Sequence, residues 1–160
     1  MSTSAPVVHF SRRYRFSASH RLHAPSLTDE QNRDAYGKCN NPFGHGHNYI
    51  VEVTVAGPVD AETGFVVDLP ALDALVRREL LDRFDGTHLN ADPAFAEAFV
   101  PSTEHFVEEA ERVLGQAVTL LDAGGRLRLA NIRVEETGNN SFDLRAEPRT
   151  APCAGTAHGA

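Results

Sequence analysis

Cysteine is scarce in this chain of 160 residues: there are two, Cys39 and Cys153, far apart and in unlike surroundings. A disulfide framework of the secreted kind is therefore not expected, and Cys39 is read as a free thiol. Long apolar runs are missing as well. No segment approaches the roughly 18 apolar residues of a membrane helix, and the opening MSTSAPVVHFSRRYRF lacks the apolar centre of a signal peptide. A cytoplasmic location with no membrane contact is expected. Basic blocks are absent: 15 Lys and Arg are scattered against 22 Asp and Glu, for a net charge of −7. That excludes a broad nucleic-acid surface while leaving room for a local basic pocket. No G-x-G-x-x-G follows a strand, so nothing points to a nicotinamide or flavin fold.

What is present is enough apolar sequence, 41%, for one globular domain with an ordinary core that needs no metal or disulfide to fold. A metal site in such a chain is expected to be functional. In HFSRRYRFSASH, Phe10, Tyr14, Phe16, Ala18 and His20 share parity, the period-two mark of a half-buried strand. Residues 21–44 read as a long polar connection. In HGHNYIVEVTVAG, His45, His47, Tyr49, Val51, Val53 and Val55 fall on one face. The loop GPVDAETGFVVD is expected to return through Gly64 into a second strand, Phe65 to Asp68. Asp68 and Pro70 start a helix carrying Leu72, Leu75, Val76, Leu80 and Leu81 at helical spacing. Another begins at PSTEH, capped by Ser102 or Thr103, with Phe106, Ala110, Val113, Leu114 and Ala117 as its stripe. RLRLANIRVEE and SFDLR read as a final antiparallel pair. The expected class is α+β: an antiparallel four-stranded sheet with two helices packed on one face. One domain is expected over residues 1–146, with 147–160 a disordered tail.

Residues i and i+2 on a strand stand roughly 6.5 to 7 Å apart, from which two imidazoles can tilt onto one ion. An isolated H-x-H is more often an ordinary pair of histidines. His20 alters that balance, because a third inward histidine ends another strand that can pair beside the first. Three neutral imidazoles with a fourth position open suit a catalytic Zn2+, with iron or copper as chemical alternatives. Cys39 stands nearby as a fourth ligand or, the favoured reading, a base whose thiolate a cation promotes.

FSASHRL, CNNPFGHGHNYIVEVTV, DAETGFVVDL, FDGTHLN, PSTEHF and RVEET, in that order, resemble the 6-pyruvoyl tetrahydropterin synthase family from about Phe10 to Phe142. That family includes the 6-carboxy tetrahydropterin synthases of queuosine biosynthesis. Five residues between Cys39 and His45 resemble the pyruvoyl branch. The resemblance implies a tunnelling-type fold, zinc on His20, His45 and His47, and Cys39 as the residue that moves protons. It implies Glu136 as anchor of the pterin ring, Thr103 and Glu104 as further pterin contacts, and Asp85 as the acidic member of an Asp-His pair. For Glu104 a plain helix-start charge is an equal alternative. The implied function is a lyase that converts 7,8-dihydroneopterin triphosphate with loss of triphosphate, in tetrahydrobiopterin biosynthesis. The implied assembly is a homohexamer, a dimer of trimers. Alternatives are the carboxy-forming synthase, a non-catalytic pterin or zinc binder, and another metal-dependent hydrolase or lyase.

The chain departs from the pattern at one point. Asp85 is followed by Gly86 where the resemblance calls for histidine, and the nearest histidine is His88. Two positions along an extended chain displace a side chain by roughly 6.5 Å. His88 can substitute only if the loop coils back, which Gly86 eases through positive φ.

Overall fold

The computed structural model describes residues 5–95, 100–122 and 124–146. Two long strands, β1 (Val7–His20) and β2 (His45–Pro58), pair antiparallel along their whole length, from Val7 opposite Pro58 to His20 opposite His45. Their alternation does the folding: Phe16, Ala18 and His20 on β1 and Tyr49, Val51, Val53 and Val55 on β2 are buried, while Ser17 and Asn48 between them are exposed.

Two expectations about the sheet are overturned. Among the described residues it has five strands and is mixed, in the spatial order Thr87–His88, β1, β2, Arg128–Glu135, Ser141–Arg145. The additional member is β3 (Thr87–His88), which runs parallel to β1 with Ala18 opposite Thr87 and Ser19 opposite His88. The cause is local. The Asp85 carboxylate accepts from the Ser17 amide at 2.9 Å, and the Gly86 amide, at φ +73°, donates to the Ser17 carbonyl at 2.7 Å. Chain leaving a helix is thereby hooked onto the open edge of β1, a pairing too short to leave any periodicity in the sequence. Nor is Phe65 to Asp68 a strand. The loop closes on itself, with Asp60 N–H donating to Phe65 O and Gly64 N–H to Asp60 O, and Asp68 is consumed as a helix cap. The far edge of the sheet is built by β4 (Arg128–Glu135), antiparallel to β2, and β5 (Ser141–Arg145), antiparallel to β4.

Among the described residues there are three helical rods rather than two. The first, α1 (Asp29–Tyr36), lies inside the expected connection, where Thr28 and Gln31 form a reciprocal capping box. The second starts at α2 (Leu69–Val76), with Asp68 accepting from Ala71 N–H, and passes through a π turn at Arg77–Leu81 into α3 (Asp82–Phe84). The third is α4 (Thr103–Thr119), capped by Ser102. Leu72, Val76, Leu80, Phe84, Phe106, Ala110 and Leu114 pack against the inner face of the sheet as one core. No helix among the described residues is long and apolar enough to cross a membrane. The expected tail, 147–160, and Cys153 lie outside the described residues.

Candidate metal centre and pterin site

The β1–β2 register delivers the site. His20 closes β1 directly opposite His45, and Ala18 faces His47, so three imidazoles converge at one end of the sheet. Ring centroids are 4.6 Å apart for His20 and His45, 5.1 Å for His20 and His47, and 4.8 Å for His45 and His47. One ligating atom from each lies within 4.8 Å of the others.

The polar atoms of the cluster are arranged to favour a cation. Buried His20 sets Nδ1 at 2.7 Å from the Pro101 carbonyl. Nδ1 must donate there, which leaves Nε2 with a free lone pair, the usual outer support of a metal-binding histidine. That lone pair faces His45 Nε2 at 3.2 Å. His47 Nε2 and His45 Nδ1 are buried with no hydrogen-bond partner among the described residues. Burial is the main cause that holds the His20 and His45 pKa values below the usual histidine range. Three imidazoles that each bring one ring nitrogen within 4.8 Å of the others fit a borderline divalent ion.

Glu136, just past β4, brings a carboxylate to the same point, 3.8 Å from His47 Nε2 and 3.9 Å from His20 Nε2. It is mostly buried, and buried Thr103, at the start of α4, donates to its Oε1 at 2.6 Å. Three separate elements thus meet at the histidines. Cys39, a partly buried free thiol, lies in a 3-10 turn, Gly37–Asn40. The turn is tied to the chain just after His20: Leu22 N–H donates to the Cys39 carbonyl at 2.9 Å, and buried Asn40 donates from Nδ2 to the Leu22 carbonyl at 2.7 Å. Burial first, and the Glu136 charge second, push the Cys39 thiol pKa up.

The other sequence candidates are placed differently. Asp85 spends its carboxylate on the Ser17 amide. His88 lies at the histidine end, its Nε2 so close to Gly44 that a β-carbon there would stand 2.9 Å from it. Glu104 is exposed in the first turn of α4 and forms no hydrogen bond to the cluster. Sequence reasoning missed the Asn40 tether and the Pro101 carbonyl, for which no local pattern exists. It placed Tyr49 on the correct face without noticing that its hydroxyl ends beside the site. A larger concavity of about 830 Å³ opens at the opposite end of the sheet, near Phe10, Phe65 and Leu127. Its volume makes it the easier cavity to find, but the converging ligands are at the histidine end.

Comparison with known proteins agrees with this geometry. Residues 9–147 match the family model described as 6-pyruvoyl tetrahydropterin synthase. The 6-pyruvoyl tetrahydrobiopterin synthase of Drosophila melanogaster is 46% identical over 98 residues, 61% of this chain and 58% of that protein. The enzyme of that name from Homo sapiens is 39% identical over 141 residues, 86% of this chain and 90% of that one. The solved structure of Caenorhabditis elegans 6-pyruvoyl tetrahydropterin synthase superposes with a TM-score of 0.76 at 33% identity, covering 91% of this chain and 100% of that one. With nearly the whole domain matched in sequence and in fold, this chain belongs to the 6-pyruvoyl tetrahydropterin synthase family.

Proposed function

We propose that this protein is a zinc-dependent lyase of the 6-pyruvoyl tetrahydropterin synthase type, converting 7,8-dihydroneopterin triphosphate with release of triphosphate. The observation that carries the reading is the three-histidine cluster with Glu136 at 3.8 Å, itself held by Thr103. When bound there, a divalent ion supplies Lewis acidity toward the substrate's side-chain oxygens and a positive charge that favours the Cys39 thiolate.

The chain's own residues do the rest. Glu136 has one oxygen engaged by Thr103 and retains lone pairs for the amino and N–H edge of a pterin ring, a bidentate match for a carboxylate. Cys39 takes and returns protons on the substrate side chain, positioned by its turn's tether to Leu22. His88 is assigned as the partner in proton transfer in place of the missing histidine at position 86, supported by its location at the histidine end. Asp85 fixes the loop that presents it. Glu104 is assigned a contact with the ligand's periphery. The reading extends to a homohexamer of two trimers, supported by the β1 edge from Val7 to Phe16, which no strand among the described residues pairs, and to a cytoplasmic setting, supported by the scarcity of cysteine.

The deciding experiment incubates zinc-loaded protein with 7,8-dihydroneopterin triphosphate and identifies products by mass spectrometry. A pyruvoyl product is expected. A carboxy product with released acetaldehyde transfers the chain to the other branch of the family, and pterin binding without turnover makes it a non-catalytic member.

A further inference from the structure

Tyr49 is the part of this site that neither the histidines nor Glu136 accounts for. It follows His47 by two residues on the same face of β2, is 1% exposed, and its hydroxyl is buried with no hydrogen-bond partner among the described residues. Stripping a hydroxyl of water without replacement costs free energy comparable to a whole hydrogen bond, so buried tyrosines normally find a partner. Phenylalanine would keep the packing and avoid the cost.

The ring is not free to search for one. It stacks on Phe16 at 4.9 Å and on Phe106 at 5.9 Å, and its remaining flank meets His47 at 5.5 Å and His20 at 6.5 Å. The hydroxyl is thereby fixed close to Thr103 and within reach of the charges of Glu136 and Cys39. Thr103 directs its own proton to Glu136, and although its oxygen lies near the Tyr49 hydroxyl and has lone pairs to offer, the two do not meet in hydrogen-bond geometry. What remains on this wall is an acceptor, the Glu136 carboxylate, beside a spare donor, the Tyr49 O–H.

We propose that Tyr49 is a ligand-binding residue whose O–H donates to an acceptor atom of the bound pterin, directly or through one water, next to the Glu136 carboxylate that accepts from the ring's N–H edge. This rests on the pterin reading above. The complementarity is chemical: the amide edge of a pterin sets N–H donors beside a carbonyl acceptor, and Glu136 and Tyr49 offer the opposite pair. The histidines are already engaged in the metal reading, each offering one ring nitrogen within 4.8 Å of the others.

Tyr49→Phe tests it. Three quantities are measured on zinc-loaded parent and variant: metal content, melting temperature, and neopterin affinity by quenching of the pterin's fluorescence. Zinc content equal to the parent, a melting temperature equal or higher, and binding weaker by about 3- to 10-fold are expected, the size of one neutral hydrogen bond. Unchanged affinity overturns the assignment, whether or not the melting temperature moves, and a lower melting temperature in that case makes the hydroxyl structural. If the parent itself binds no neopterin, the pterin reading falls and takes the role of Tyr49 with it. If the parent binds and the variant binds equally, only the role of Tyr49 falls.

Discussion

Two polar clusters in this small domain hold mostly buried carboxylates or imidazoles, and they are built on opposite plans. At the junction of α3, α4 and the loop between them, Arg83 donates to both oxygens of Asp92 at 2.5 and 2.7 Å and to Glu109 at 2.6 Å. Arg112 closes Glu109 from the other side at 2.6 and 2.7 Å, and the Arg83 guanidinium lies 4.7 Å from the centre of the Phe84 ring. Each charge there faces an opposite one in bidentate geometry. At the histidine end, by contrast, His45 Nδ1, His47 Nε2 and the Tyr49 hydroxyl have no hydrogen-bond partner among the described residues. A cluster that closes on itself stabilises the fold. One that leaves buried donors and lone pairs open carries a cost that a ligand can repay.

Mutation should separate the two plans. The largest effect is expected from His47→Ala: zinc content, read by elemental analysis, should fall from one per chain to near background, because three ligands leave no redundancy. Melting temperature of the metal-free protein should barely move. Full zinc occupancy in that variant would remove His47 from the ligand set.

Arg83→Ala should do the reverse. It strands Asp92 and leaves Glu109 to Arg112 alone, both carboxylates being only about a tenth exposed, at a cost of about 2–3 kcal/mol in urea unfolding, while the protein that remains folded keeps its zinc.

Acid should act on the same cluster. Hydrogen bonds from Arg83 hold the Asp92 carboxyl below its usual range, and those from Arg112, then Arg83, do so for Glu109. Groups with depressed folded-state pKa contribute stability above the unfolded carboxylate values, and that stability is lost as pH falls through the folded ones. The urea midpoint of the parent is therefore expected to drop between about pH 5 and pH 2, with a shallower fall in Arg83→Ala. Equal slopes would show that the network does not drive the acid transition.

The smallest and sharpest contrast compares two glycines of equal backbone geometry. Gly44 and Gly86 have φ of +71° and +73°, so alanine costs about 1–2 kcal/mol at either. At Gly44 a β-carbon would also meet His20 O and His88 Nε2 at 2.9 Å, whereas nothing lies within 4 Å at Gly86. Gly44→Ala is expected to lower both stability and zinc affinity, and Gly86→Ala stability alone. Identical zinc titrations would detach Gly44 from the metal end.

Much of the site was legible because its key residues obey strand parity. His20, His45 and His47 fall on the buried face by counting in twos, and the two strands that carry them are long and strongly alternating. The helices were legible from Asp68, Pro70 and Ser102 as start signals. Phe65 to Asp68 misled because an apolar run of three, Phe65, Val66 and Val67, fits a loop whose aspartates close it as well as it fits a strand. Thr87 and His88 were missed as a strand because two residues cannot display a period.

The sequence by itself determined the class, the inward face of each long strand, and the kinship with a pterin-synthase family, since all three rest on short-range periodicity and contiguous motifs. Only the tertiary structure decided which distant side chains meet: Thr103 with Glu136, Pro101 with His20, Arg83 with both Asp92 and Glu109, and the fixed, unpartnered hydroxyl of Tyr49. The physical reason is that parity sets the direction of a side chain relative to its own strand. Its partner is set by how helices and sheet pack, which no spacing along the chain encodes.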